Sequence, residues 1–387
     1  MNDLKRNTIL VGDAAARLRQ LPTASIDCVI TSPPYYRLRD YGVPQQLGLE
    51  ATVEAWVTEL RAVTCQLARV IKPTGSLWLN LGDSYSRHVR YGAPPKSLFL
   101  APERLLVALA GDGWIVRNKV IWAKPNPMPD SVGDRLSTSY DVVYFLVRSR
   151  HYFFDLDQIR QPHQTSRTSA ERRSAPAAAP AWAGPHAGRQ DGLARTRPTG
   201  VPGHWLGKNP GDVWTVAAAS YRGAHFATFP ERLIERPLLA SCPEAICTRC
   251  ALPWRRPVTI RRLGLKALPA ARDPHVRRYE AYWRTLRQLG DLVPCGCGAP
   301  TRPGVVLDPF FGTGTVGVVA ERLGRDWVGI ELNPAYARLA TERLEAARRQ
   351  PAPPSAGAVG AWQTARDSPV FFQWLFGSPS GLAGLPG

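Results

Sequence analysis

Over roughly the first 160 residues, short apolar runs alternate with stretches whose apolar residues recur every three or four positions, the pattern of a parallel sheet with helices on its faces. The runs Thr8 to Val11, Ile26 to Thr31, Ser76 to Leu81, Val116 to Trp122 and Val142 to Val147 predict strands, and Val53 to Val70 and Glu103 to Leu109 have helical spacing. From Gln161 to about Gly211 the texture shifts to Pro, Ala, Gly, Ser and Arg, as in SAPAAAPAWAGPHAGR, which predicts an irregular stretch that orders on a partner. Order is expected again near Asp212, followed by a strand, turn and helix over Gly304 to Leu323, a strand at Trp327 to Glu331 and a helix from Pro334 to about Arg348. Beyond Gln350 the chain is rich in Pro and Gly. The apolar Val370 to Phe376 within that tail is expected to pack on its own chain.

Only one strand follows the turn near the C-terminus, too few for a nucleotide-binding sheet, so the remaining strands must come from the N-terminal half. In that turn, Val305-Val306-Leu307-Asp308-Pro309-Phe310-Phe311-Gly312-Thr313-Gly314-Thr315, the missing Cβ atoms of Gly312 and Gly314 let backbone approach a ligand closely. Glu331 ends the next strand, where a carboxylate can accept hydrogen bonds from ribose hydroxyls. These features favour a nucleoside site over a plain strand-to-helix connection without choosing the nucleoside. GTGTVG also satisfies the dinucleotide fingerprint, so an NAD-dependent oxidoreductase stays open here.

A second segment carries chemistry. Ile26 to Thr31 runs into Ser32-Pro33-Pro34-Tyr35, where two prolines make a rigid exit from a strand and leave a hydroxyl, a fixed carbonyl and an aromatic ring at its carboxyl end. Standing alone, this would be an ordinary proline-stopped strand.

Charge narrows the partner. The 387 residues hold 49 Lys and Arg against 31 Asp and Glu, a net charge of +18, which points to nucleic acid ahead of an acidic membrane surface. Most of the positive charge is arginine, although part of that excess reflects a bias toward Arg, Ala and Pro throughout. No apolar run has the length of a membrane span and the first residues lack a secretory signal, so an intracellular protein without membrane attachment is expected.

Cys247-Thr248-Arg249-Cys250 and Cys295-Gly296-Cys297 form two close pairs, able to supply the four thiolates of a tetrahedral structural zinc site. Reduced thiols on loops are the plain alternative. Cys242 is a competing thiol, while Cys28 and Cys65 are expected in the core. Between the pairs, Arg255, Arg256, Arg261, Arg262, Arg277 and Arg278 interleave with aromatic residues, which suggests a phosphate grip; a solvated basic helix face accounts for them equally well.

TSPPY together with DPFFGTGT resembles the catalytic and cofactor motifs of the DNA amino-methyltransferases. The order, catalytic motif first and glycine turn last, is similar to the permuted group called the β class. Gly12-Asp13, the run GSLWLNLGD from Gly75 to Asp83, Ile121 to Pro125, His225 to Pro230 and Gly329 to Pro334 support it, and the resemblance spans roughly 250 residues.

The resemblance implies a Rossmann-like α/β methyltransferase fold dependent on S-adenosylmethionine, with a circularly permuted motif order, a variable recognition region and a small zinc module. It implies that Ser32 and the Pro33 carbonyl accept the two N–H groups of an exocyclic amine, that Pro34 shapes the turn, and that Tyr35 stacks on a base flipped out of the duplex. Asp13 would meet the cofactor's adenine, Glu331 its ribose, and Phe310, Gly312 and Gly314 its methionine part. Thr31, Asp308, Thr313, Thr315 and Asn333 would complete the cofactor pocket, with Phe226, Thr228 and Phe229 lining it from another segment. Asn80 and Asp83 either border the pocket or lie on a surface loop. Serine before the two prolines resembles the cytosine-N4 group, whereas Asp or Asn there is typical of adenine-N6 enzymes. Pro294-Cys295 precedes the glycine turn, the wrong side for a C5-cytosine nucleophile.

The expected organisation is a catalytic half over 1–160, a variable recognition region or linker over 161–211, a cofactor-pocket segment over 212–241, a zinc-binding insert over 242–301, a cofactor half over 302–349 and a tail over 350–387. Double-stranded DNA is the expected partner and an RNA substrate is not excluded by the motifs. The resemblance leaves room for a cognate restriction endonuclease, for monomer or homodimer, and for a cytoplasmic, bacterial setting. A catalytically silent zinc-containing DNA-binding protein on the same scaffold is the alternative from another class.

Overall fold

The computed structural model describes residues 4–161, 206–218, 229–262 and 285–349. Phe226, Thr228, Arg277, Arg278 and the apolar tail segment lie outside them. Two compact units are present. The larger contains the described residues 4–155, 211–218, 229–255 and 292–349; the smaller contains 156–161, 206–210, 256–262 and 285–291.

The larger unit is built on an eight-stranded sheet. Its strands are Thr8–Val11 (β1), Ile26–Thr31 (β2), Ile71–Leu81 (β3), Ile115–Ala123 (β4), Tyr140–Val147 (β5), Val213–Thr215 (β6), Val305–Asp308 (β11) and Asp326–Glu331 (β12). They lie in the order β1-β12-β11-β2-β3-β5-β4-β6, and β5 alone runs antiparallel to its neighbours. The two C-terminal strands therefore sit between β1 and β2, as the shortage of strands after the glycine turn requires.

Helices cover both faces, and this explains why the strands read as continuous apolar runs rather than alternating ones. On one face Ala14–Gln20 (α1), Val53–Val70 (α2) and Ala101–Gly111 (α3) pack Leu18, Trp56, Leu60 and Leu105 against Leu77, Leu79, Tyr144, Leu307 and Ile330. On the other, Glu231–Ser241 (α4), Thr315–Arg322 (α5) and Pro334–Arg349 (α6) pack Ile234, Leu238, Val319 and Leu344 against Ile30, Trp78, Phe145 and Val306. Successive residues of one strand, Leu77 and Trp78, thus enter different cores. Trp78 stacks on Phe145 with ring centroids 4.2 Å apart, and its Nε1 donates to Ser241 Oγ at 3.0 Å.

The starts of α1 and α2 are capped locally. Asp13 accepts from Ala16 N and Thr52 accepts from Ala55 N. Asp83, offered above as a pocket border or loop residue, accepts from Leu100 N and Ala101 N and so caps α3. Cys28 is buried as expected, but Cys65 is exposed, a correction: the buried stripe of α2 runs through Val63, Thr64 and Leu67 and passes it by.

Also in the larger unit, Ile246–Cys247 (β7) pairs antiparallel with Thr301–Arg302 (β10). In the smaller unit, Val258–Arg262 (β8) pairs antiparallel with Thr285–Leu289 (β9). Arg261 and Arg262 therefore lie on a strand, not on a basic helix. Among the described residues no helix is long and apolar enough to cross a membrane.

Candidate active site

The carboxyl ends of β1, β12, β11 and β2 open onto one cleft, the position ligands take in open α/β sheets. It encloses about 850 Å³, part of it continuous with solvent. Gly12 and Asp13 enter it from the end of β1, Ser32 and Pro34 from β2, Pro309 to Thr313 from β11, and Glu331 to Asn333 from β12. Thr315 and Phe229 also line it. Residues that the sequence places about 280 apart therefore share one wall.

The glycine turn is shaped for close approach. Gly312 has φ +54° and Gly314, which precedes α5, has φ +78°, a region that favours glycine. A Cβ on Gly314 would meet Ala340 and Phe311, so this glycine also lets α6 pack closely. Glu331 Oε2 accepts from Gly312 N at 2.7 Å and Oε1 accepts from Asn333 N at 2.8 Å, which fixes the carboxylate between the two loops. Burial raises its pKa from the ordinary value.

Thr31, Asp308, Gly314, Pro33 and Tyr35 are not among the residues lining the cleft. Thr31 Oγ1 donates to Asp308 Oδ1 at 2.6 Å, and Asp308 also accepts from Phe310 N at 3.0 Å. Burial pushes the Asp308 carboxyl up to about 7, against the opposing pull of the Thr31 hydroxyl and the Phe310 amide.

Around Ser32 a polar network closes. Asn80 Nδ2 donates to Ser32 Oγ at 3.1 Å and to Tyr35 Oη at 2.7 Å, while Ser32 Oγ lies 3.4 Å from Tyr35 Oη. Tyr35 Oη donates to Asp141 Oδ2 at 3.2 Å, and Lys124 Nζ pairs with the same oxygen at 2.7 Å. Burial, then the Asp141 carboxylate, raises the Tyr35 phenol well above its ordinary pKa. The Tyr35 ring packs over Gly82, where a Cβ would come within 2.6 Å of it. Among the described residues, Asn80 Oδ1 is buried with no hydrogen-bond partner.

The sequence assigned no role to Asp141, Tyr41 or Tyr336, or to Lys124 within its motif, and of these the two tyrosines line the cleft. Tyr35 and Asp141 lie 106 positions apart, and no local signal connects them.

A family model described as DNA methylase matches residues 26–246 and 301–342. The chain belongs to this N6/N4 DNA methylase family. It is 32% identical over 364 residues to the Type II methyltransferase M.XycI of Xanthomonas campestris pv. cyanopsidis, covering 88% of this chain and 89% of the relative. It is likewise 32% identical over 365 residues to the Type II methyltransferase M.Cfr9I of Citrobacter freundii, covering 89% of each. The fold is similar to that of the PvuII DNA methyltransferase (cytosine-N4-specific), with TM-score 0.51 and 17% identity over 92% of this chain and 89% of that one. The protein is thus a DNA methyltransferase of an S-adenosylmethionine-dependent family, and DNA is its substrate.

The methylase has a second cluster. The sulfurs of Cys247, Cys250, Cys295 and Cys297 all lie within 4.8 Å of one another, near the roughly 3.8 Å edge of a tetrahedral zinc tetrathiolate. Left-handed residues turn both knuckles, Ala251 at φ +58° and Gly296 at φ +79°. Thr248 N and Oγ1 both donate to Pro300 O, and Arg249 Nη1 donates to Cys297 O, so hydrogen bonds link the two knuckles. Cys242 is buried in the core, apart from this cluster.

Of the proposed phosphate-gripping arginines, Arg255 reaches back into its own unit, donating to Phe154 O at 3.1 Å and lying 4.9 Å from the Phe153 ring centre. Arg256 donates to Gly290 O at 3.1 Å.

Proposed function

We propose that this methylase transfers a methyl group from S-adenosylmethionine to the N4 amine of a cytosine flipped out of duplex DNA. The observation that carries the reading is that Ser32 and the Gly312 turn open onto one cleft. A cytosine amine is a poor nucleophile because its lone pair is delocalised into the ring. Acceptors on its two N–H groups favour a pyramidal nitrogen with the lone pair freed, and Ser32 Oγ and the Pro33 carbonyl are proposed for that task. Pro34 shapes the turn and Tyr35 is proposed to stack on the base.

S-adenosylmethionine supplies a sulfonium methyl, and holding two reactants in line provides much of the rate. The cleft fits it chemically: two carboxylates, Asp13 and Glu331, stand at the strand ends, and aromatic Phe310 and Phe229 flank a backbone that approaches at Gly312. We assign Asp13 to the adenine, Glu331 to the ribose and Phe310, Gly312 and Gly314 to the methionine part. Thr31, Asp308, Thr313, Thr315 and Asn333 are proposed to support the pocket, and Phe229 to line it from another segment. With the Ser32 segment first and the glycine turn last, we place the chain in the permuted β class.

Serine at position 32, where adenine enzymes have Asp or Asn, favours cytosine, as does the likeness to a cytosine-N4-specific enzyme. We propose that the four cysteines hold a structural Zn²⁺ and that arginines of the intervening segment position the duplex. The Type II relatives suggest a cognate restriction endonuclease and a cytoplasmic setting. Mass spectrometry of nucleosides from duplex DNA treated with enzyme and S-adenosylmethionine is the direct test. N4-methylcytosine is expected; N6-methyladenine alone would replace the cytosine assignment, and no methylated base would favour the silent DNA-binding alternative.

A further inference from the structure

We propose that Asp141 is a positioning residue for methyl transfer, acting through the Tyr35 hydroxyl to keep the Ser32 oxygen an acceptor for the target amine. The inference rests on the role proposed for Ser32 above.

A hydroxyl has one hydrogen to give and two lone pairs with which to accept. Ser32 Oγ can take an N–H from a substrate amine only if its own hydrogen points elsewhere and a lone pair is left over. Asn80 Nδ2 already occupies one lone pair, at 3.1 Å. The hydrogen must therefore be directed away from the cleft, and Tyr35 Oη at 3.4 Å is the acceptor in reach.

Tyr35 can accept only if its own proton is committed. Asn80 Nδ2 donates to it at 2.7 Å, so the atom of that amide facing Tyr35 is itself a donor and cannot take its proton. Asp141 Oδ2 at 3.2 Å accepts the phenol's hydrogen bond, and Lys124 Nζ at 2.7 Å from the same oxygen holds that carboxylate in place. Both Asp141 and the Tyr35 hydroxyl are withdrawn from solvent, and hydrogen bonds in such surroundings polarise one another. The directions form one chain: Ser32 to Tyr35, Tyr35 to Asp141, with Lys124 closing it. Were the carboxylate replaced by a donor, the Tyr35 hydrogen would turn toward Ser32, and the remaining Ser32 lone pair would be taken from the substrate.

A merely structural ion pair between Asp141 and Lys124 would behave differently. It would tie β5 to β4 and matter equally whether or not Tyr35 carried a hydroxyl.

The experiment is a double-mutant cycle of Asp141→Asn and Tyr35→Phe in the full-length enzyme, reading kcat, KM for duplex DNA and Kd for S-adenosylmethionine. For D141N, kcat should fall roughly 10- to 100-fold while KM and Kd stay within about threefold, and Asp141→Glu should restore part of the loss. In the Y35F background, D141N should change kcat less than about twofold, because the hydroxyl through which it acts is gone. A wild-type kcat in D141N or in Y35F overturns the proposal, as does a full, multiplicative D141N loss on top of Y35F. Should D141N fail to fold, Y35F alone still decides, since a wild-type kcat there removes the path. Wild-type enzyme that methylates no DNA would instead defeat the reading of Ser32, a result distinct from an active enzyme indifferent to Asp141.

Discussion

Thr31 Oγ1 donates to Asp308 Oδ1 at 2.6 Å, a bond between residues 277 positions apart that joins the end of β2 to the end of β11. Each residue is the last of its strand, and the next residues along, Ser32 and Pro309, both line the cleft. This bond ties the segment proposed to hold the base to the segment proposed to hold the methyl donor.

Asp308 gives the protein a pH-dependent stability. Its pKa in the folded protein, about 7, stands above that of an unfolded chain, so the folded state keeps a proton that the unfolded state has lost. Stability from this group is full at low pH, falls as pH rises from about 4 to about 7, and is level above that. Asp308→Asn cannot lose a proton, so the melting temperature of D308N relative to wild type should be higher at pH 8 than at pH 5. An unchanged difference between the two pH values would refute this assignment.

Ser32→Ala removes one proposed acceptor while leaving the glycine turn intact. Turnover should fall at least about 100-fold, with S-adenosylmethionine affinity held within about twofold by calorimetry. Full activity in S32A would end the proposed role.

Glu331→Gln keeps the shape but loses the charge that holds Gly312 N and Asn333 N. Charge-assisted hydrogen bonds contribute about 1.5–3 kcal/mol each, so S-adenosylmethionine affinity should drop on the order of tenfold or more. Equilibrium binding of the cofactor to E331Q, compared with wild type, measures it directly.

The four thiols make a quantitative claim about metal. Protein purified without chelator should carry about one zinc per chain by elemental analysis, and Cys297→Ser should lower both zinc content and melting temperature. Less than half an equivalent of any thiophilic metal in wild type would refute the proposed site.

Much of the frame was legible in advance. Ile26–Thr31 and Val53–Val70 fall where the apolar pattern puts them, because the strand is buried at every position and reads as one apolar run, while the helix buries one face at helical spacing. The helices Ala14–Gln20 and Glu231–Ser241 are absent from the sequence reading: the first is short, and the second carries Pro237 inside it. Cys65 was misplaced because an apolar residue type says little about which side of a helix it occupies. The pairing Val258–Arg262 with Thr285–Leu289 joins segments separated by a long insert, which no local pattern announces.

The residues by themselves determined the pieces of chemistry: a proline-stiffened exit after β2, a glycine turn after β11, an acidic residue ending β12, and four thiols in two close pairs. These are set by side chains a few positions apart, where backbone geometry leaves few choices. Only the tertiary structure decided that Tyr35 donates a hydrogen bond to Asp141, that Asn80 reaches both Ser32 and Tyr35, and that Asp308 is buried against Thr31. Hydrogen bonds of that kind depend on strand order and register, which are settled by how all the apolar faces pack together and not by any one stretch of chain.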